Sequence, residues 1–287
     1  MAQLPRLYTA AAFCADGRPE AGAEYSRTAL RLAGDARYDP FDPAFTRAFA
    51  GTAEFFVDGN IDRYVTLYTG LAEQAGLGHV LGLALLLNIL PAAGRAEEAR
   101  AIAPEALTVA RTHANPFWIA SALIGAGRAF ADTDPARALD ALRQALTLSQ
   151  EQRIPYWEAR AAQVAANLET LHGDPEKGLD LFAAVITSYH LAGNHTDLAT
   201  SLAGLAVYFD RAGQPETAAT LYGTTSSYPA TARVPNLAAT VEHLRTLLGP
   251  TVFDQCLAAG AAMEVGDAVA YARQQIRTAR AGLGPPS

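Results

Sequence analysis

The sequence predicts an all-α solenoid of about six helical hairpins closed by a C-terminal helical cap. A recurring turn is the first of two observations behind this. The turns are Gly17-Arg-Pro-Glu with Gly22, Gly59-Asn-Ile-Asp with Tyr64, Gly94-Arg-Ala-Glu with Ala99, Thr133-Asp-Pro-Ala with Ala138, Gly173-Asp-Pro-Glu with Gly178, and Gly213-Gln-Pro-Glu with Ala218. In each the partner stands five positions after the turn start, and it is usually small. The starts are separated by 42, 35, 39, 40 and 40 residues, a spacing that marks stacked helix–turn–helix units. The second observation is composition. Ala and Leu are abundant and Val and Ile scarce beside them, which favours helices over strands.

Each element follows from local pattern. In the first two units the turns place Ala29 twelve residues on and Tyr68 nine residues on, both as packing positions. The apolar stretch Leu77 to Ala93 carries His79 and Asn88 and ends at Pro91. It is shorter than the ~20 residues that span a bilayer and reads as a buried helix. In Pro116 to Glu151, Trp118, Leu123, Ile124 and Phe130 mark one helix face, and Ala138, Leu139, Leu142 and Leu146 mark the next. Pro155 to Leu191 has the clearest pattern. Trp157, Val164, Leu168 and Leu171 share a face, Gly173 ends the helix, and Asp174, Pro175 and Glu176 suit the cap and first turn of the helix that follows. That second helix carries Leu179, Phe182, Val185 and Ile186 on one face, with Gly178 small enough for a close approach. In Thr196 to Tyr228 the pattern repeats with Leu198, Leu202, Leu205 and Phe209, then Ala218, Leu221 and Tyr222. The tail breaks the period. A loop from Ala230 to Asn236 precedes helices over Leu237 to Leu248, Thr251 to Ala262 and Gly266 to Ala281, with Gly249-Pro250 separating the first two. The boundaries expected are therefore repeats over 1–229, and a cap with a frayed end over 230–287.

Charge and cysteine content narrow the function. The 287 residues are 50% hydrophobic and 18% charged, with a net charge of −7. Nucleic-acid binding needs a basic face, and no basic run is present. Cys14 and Cys256 stand near opposite ends and are expected to be reduced thiols. With Arg6 ahead of a mixed segment rather than an apolar one, no signal peptide and no membrane span are expected, and the location expected is cytoplasmic.

The turn glycine, the small residue five later, the bulky residue nine later and the alanine twelve later resemble the tetratricopeptide repeat. The likeness covers roughly residues 1–228, with a period nearer 40 than 34 and without fixed Trp and Gly spacing in the first helices. The run Ala218 to Gly223, the Val241 to Gly249 helix and the segments from Phe253 to Tyr271 resemble the C-terminal helical-repeat region of large bacterial signalling ATPases. Asn115 to Leu123 and Phe209 to Glu216 add to that likeness. In those proteins a cyclase-like or LuxR-type DNA-binding domain accompanies a P-loop ATPase and a repeat array. The resemblance implies a non-catalytic protein-interaction or sensory scaffold in signalling or transcription regulation. The alternative is a fragment or companion of a nucleotide cyclase or ATPase regulator whose activity resides outside this chain. A Walker A loop is absent, because Lys177, the only lysine, lies between Glu176 and Gly178.

No catalytic, cofactor-binding or metal-ligating residues are expected. His190 and His195 near Asp197 cross a Gly-Asn turn at a spacing that does not align metal ligands on one helix face. Glu97-Glu98 and Asp132 with Asp134 sit where helix starts attract acids. Ser121 and Ser201 lack a nucleophile elbow. Partner binding is expected in the concave groove, where Asn88, Gly127 and Asn167 each stand six residues before a turn start, with Arg128 adjacent. Asn88 and Asn167 could equally bond between helices in the core. Trp118 and Trp157 are candidate aromatic anchors that could equally be core residues. The expected occupant is a protein or peptide, including an ATPase or cyclase domain of the same system, with a small-molecule effector as a variant.

Overall fold

The computed structural model describes residues 19–33, 60–228, 230–231 and 234–283, together with Tyr8, Asp35, Arg37, Arg47 and Ala48. The turns at Gly17 and Gly59, Cys14, and the last residues from 284 lie outside the described residues. The fold is all-α. Among the described residues there are twelve helices and no strand. They are α1 (Pro19–Ala33), α2 (Ile61–Ala72), α3 (Leu77–Ile89), α4 (Ala96–His113), α5 (Pro116–Phe130), α6 (Pro135–Glu151), α7 (Pro155–His172), α8 (Pro175–Ala192), α9 (His195–Arg211), α10 (Pro215–Gly223), α11 (Leu237–Ala261) and α12 (Val265–Gly282). None of them is long and apolar enough to cross a membrane. The chain divides into two compact units, residues 1–164 and 165–287, with the division inside α7.

In the first unit α2 packs on α3, α3 on α4 and α5, and α5 on α4 and α6. In the second, α8 packs on α9, and α9 on α10 and α11. There α10 packs on α11 and α12, and α12 also returns to α8. Consecutive hairpins stacked on their neighbours are the arrangement of a solenoid-type repeat. Arg280 of α12 reaches Asp180 at 2.7 Å and Glu176 at 3.6 Å on α8, a surface pairing that adds little stability.

The recurring positions explain why the hairpins close. Five residues after the turn starts, Tyr64, Ala99, Ala138 and Ala218 are at most 1% exposed, and Gly178 is buried. Tyr68, Leu142 and Phe182 at the next position, and Ala29, Ala106, Ala145 and Val185 at the one after, are buried as well. Small residues let paired helices approach, and the bulky ones fill the gap to the neighbouring hairpin.

Side chains at the turns start the helices. Asn60, Asn115, Asp134, Asp174 and Asn194 each accept a hydrogen bond from a backbone N–H of the following turn. Backbone N–H donation, chiefly from Lys177, holds the Asp174 carboxyl below its ordinary range. Replacing Asn194 by Ala should lower the stability of the second unit by ~1 kcal/mol, measured by chemical denaturation, because Asp197 N loses its partner. Equal stability would show that the cap is dispensable.

One glycine differs from the expected helix stop. Gly94 and Gly213 take φ of 74° and 72°, so a left-handed residue closes those hairpins. Gly173 has no positive φ. Its small size leaves room for the Glu169 carboxylate, whose Oε2 accepts from Asp174 N at 2.9 Å and which a Cβ would displace. The break expected at Gly249-Pro250 is present as a kink inside α11, where Gly249 has φ 69° and ψ 163°. Gly249→Ala places a Cβ in a positive-φ, extended-ψ backbone that is essentially glycine-only and should cost ~1–3 kcal/mol, read as a lower denaturation midpoint. An unchanged midpoint would show that the kink is not needed.

Candidate functional site

The pattern-derived groove residues sit at equivalent places in successive hairpins, but the structure gives each its own packing task. Asn88, half-buried on α3, donates from Nδ2 to Ala84 O and to Ser121 O, both at 2.9 Å, and to Ser121 Oγ at 3.3 Å. It therefore ties α3 to α5. Ser121 itself is fully buried. Gly127 is buried on α5, and a Cβ there would lie 2.7 Å from Leu142 Cγ, so its small size sets the α5–α6 distance. Arg128 is half-buried beside it. In the second unit Asn167 is half-buried on α7, with its Oδ1 only 2.3 Å from where a Gly204 Cβ would stand. Asn88→Ala should destabilise the first unit by ~1–3 kcal/mol, since a helix-to-helix bond is lost at a shielded site. A thermal melt identical to that of the parent chain would instead place Asn88 free for a partner.

Trp118 and Trp157 are core residues, at 4% and 7% exposure. The residues beside them are the accessible ones. Pro116-Phe117-Trp118 opens α5 and Pro155-Tyr156-Trp157 opens α7, the same three-residue pattern at the start of two consecutive first helices. Proline fits the first helical position, which fixes the phase of the two aromatic residues that follow. The tryptophan of each pair turns inward, and Phe117 and Tyr156 are left half-buried. Their rings lie 6.3 Å apart with an interplanar angle of 9°, a parallel stack. Trp157 meets both edge-on, at 5.1 Å from Phe117 and 4.7 Å from Tyr156. Trp118 meets Phe117 edge-on at 4.8 Å. The Arg160 guanidinium lies 4.9 Å from the Tyr156 ring centre and extends the stack by a cation–π contact. Two half-buried rings and one guanidinium, backed by two buried tryptophans, thus form one partly exposed face in the first unit. Phe117, Tyr156 and Arg160 were not among the residues singled out by repeat position. The duplicated proline–aromatic–tryptophan pattern was the signal that could have found them.

Several of the polar residues weighed as chemistry have local structural partners. Asn194 Nδ2 donates to Asp197 Oδ2 at 2.9 Å, and Ser201 Oγ donates to Asp197 O at 2.9 Å. Glu98 pairs with Arg95 at 2.6 Å, and that bond holds its carboxyl below the ordinary range. Asp134 caps α6. Among the described residues no group of three or more His, Cys, Asp and Glu side chains is placed to hold a metal ion. Cys256 is a half-buried free thiol on α11. No protein-family model matches the chain, and no curated protein matches it.

Proposed function

We propose that the chain is a non-catalytic protein-interaction and sensory scaffold module of a bacterial signalling or transcription-regulatory system. Its docking face is the aromatic stack at the starts of α5 and α7. The observation that carries this is the parallel pair Phe117 and Tyr156, held half-exposed by two buried tryptophans and flanked by Arg160. Aromatic rings and arginine are the side chains that carry most binding energy in protein interfaces, because they supply large contact area with few rotatable bonds. A rigid aromatic floor loses little entropy when a partner covers it. The occupant that suits it is a protein segment presenting apolar or proline side chains, including one from an ATPase or cyclase domain of the same system. The resemblance of the repeats and tail to regulators of that kind supports the setting.

The test is a binding comparison in the source organism's extract. Phe117→Ala with Tyr156→Ala should reduce capture of the specific partner by roughly tenfold or more, since each removed anchor is worth ≥ 1–2 kcal/mol in such sites. Helix content should stay at the parent value. Capture unchanged by the double substitution would rule out this face.

A further inference from the structure

The second unit contains a cavity of about 210 Å³ where the start of α9, the turn after α10, the end of α11 and the start of α12 converge. Its apolar floor includes Leu198, Leu202 and Met263, and its rim includes His195, Ser227 and Tyr228. Among the described residues that line it there is no Asp, Glu, Lys or Arg. Two further rim hydroxyls are already used: Thr224 Oγ1 donates to Leu221 O at 2.7 Å, and Ser226 Oγ to Gly223 O at 3.2 Å. The side chains of His195, Ser227 and Tyr228, in contrast, make no hydrogen bond with the described residues, so donors and acceptors stand free above an apolar floor.

We propose that this cavity binds a small uncharged organic molecule with an apolar body and one hydrogen-bonding end. The size limit comes from the volume, which equals that of about seven liquid waters and is below the ~300–1,000 Å³ of sites for larger ligands. A substituted benzene ring or a six-carbon chain fits. The exclusion of charge comes from the lining. A carboxylate or ammonium group would leave water for a site whose described lining holds no fixed counter-charge, whereas a hydroxyl or carbonyl end would meet the rim side chains of His195, Ser227 and Tyr228. The cavity joins the last hairpin to the cap, so an occupant would bridge four segments of the unit. This inference is independent of the aromatic face, which lies in the other unit, and the two fail separately.

The chain itself supplies a reporter. It has only two methionines, Met1 and Met263, so methyl-labelled methionine gives one resonance inside the cavity. Titrating the intact chain with benzyl alcohol and with 1-hexanol should move the Met263 methyl signal saturably. Benzoate and benzylammonium should require at least ~10-fold higher concentrations, the effect of an uncompensated charge. Ala199→Leu projects bulk from the floor and should abolish the shift, and Ala261→Trp, at an exposed lining position, should do so should the first variant fail to fold. A Met263 signal unmoved by both alcohols would overturn the proposal. So would equal affinity for the charged compounds, or titrations unaltered in a folded filled-cavity variant.

Discussion

Gly260→Val is expected to be the most damaging single substitution in the second unit. Gly260 of α11 faces Gly223 at the end of α10, and the two backbones touch. A Cβ on Gly260 would lie 2.0 Å from Thr220 O, 2.9 Å from Thr224 N and 3.0 Å from Gly223 Cα. The reverse holds too: a Cβ on Gly223 would lie 2.3 Å from Leu257 O. All these obstacles are backbone atoms, which cannot rotate away as a side chain tip can. The helices must separate, and the contacts of α10 with α11 loosen with them. Overpacking a well-fitted core typically costs ~1–3 kcal/mol, and a backbone collision belongs at or above the top of that range. The expected result is loss of cooperative unfolding of the second unit in chemical denaturation. Even Gly260→Ala should be clearly destabilising. A denaturation curve for the valine variant that overlays the parent curve would mean that α10 and α11 do not cross at these glycines.

Gly178→Leu is expected to come next. Gly178 stands five residues after the Gly173 turn and is buried between α7 and α8. A Cβ there would lie 2.4 Å from Thr170 Cγ2, 2.9 Å from Thr170 N and 3.1 Å from Ala166 O. The Thr170 methyl cannot turn aside freely, because its hydroxyl donates to Ala166 O and Asn167 O, both at 2.9 Å. Leucine therefore meets both a held side chain and the helix backbone. The cost should be ~1–3 kcal/mol or more, with Gly178→Ala smaller but in the same direction. The melting temperature of the purified chain checks it. An unchanged value for Gly178→Leu would place α8 in a different phase on α7.

The position of Gly178 was legible from the sequence because hairpin closure imposes the same requirement in every unit. Wherever two helices leave a four-residue turn, the residue one turn into the second helix must be small or well fitted. Ala99, Ala138, Gly178 and Ala218 meet that condition, and all are buried. The Gly223–Gly260 crossing was not legible in the same way. It joins the last hairpin to a cap that breaks the period, so no repeat predicts which residues face each other. The Gly173 turn shows a finer limit. Sequence identifies a glycine at a helix end, yet only the backbone angles separate a left-handed glycine, such as Gly94, from one that lies beside the Glu169 carboxylate without a positive φ, such as Gly173.

The candidate site followed the same division. Equivalent spacing brought Asn88, Gly127 and Asn167 forward, and the structure puts each against a neighbouring helix. Spacing reports which residues are equivalent, but not whether an equivalent position faces a groove or a partner helix. The aromatic face depends on helix phase near Pro116 and Pro155. A rotation by one residue decides that Trp118 and Trp157 go inward while Phe117 and Tyr156 remain half-exposed. The prolines mark where each helix starts, but which of the two following rings turns inward depends on the neighbouring helices, which local sequence does not report.

Site-specific photo-crosslinking measures partner contact at that face directly. A photoreactive phenylalanine analogue placed at Tyr156 and, as a control, at the exposed Thr108 of α4 would be irradiated in cells of the source organism. A defined protein adduct from position 156, absent from position 108 and lost when Phe117 is also replaced by Ala, is the result expected of a docking face on the α5–α7 aromatic stack. Adducts of the same pattern and yield from both positions, or none from position 156, would contradict it.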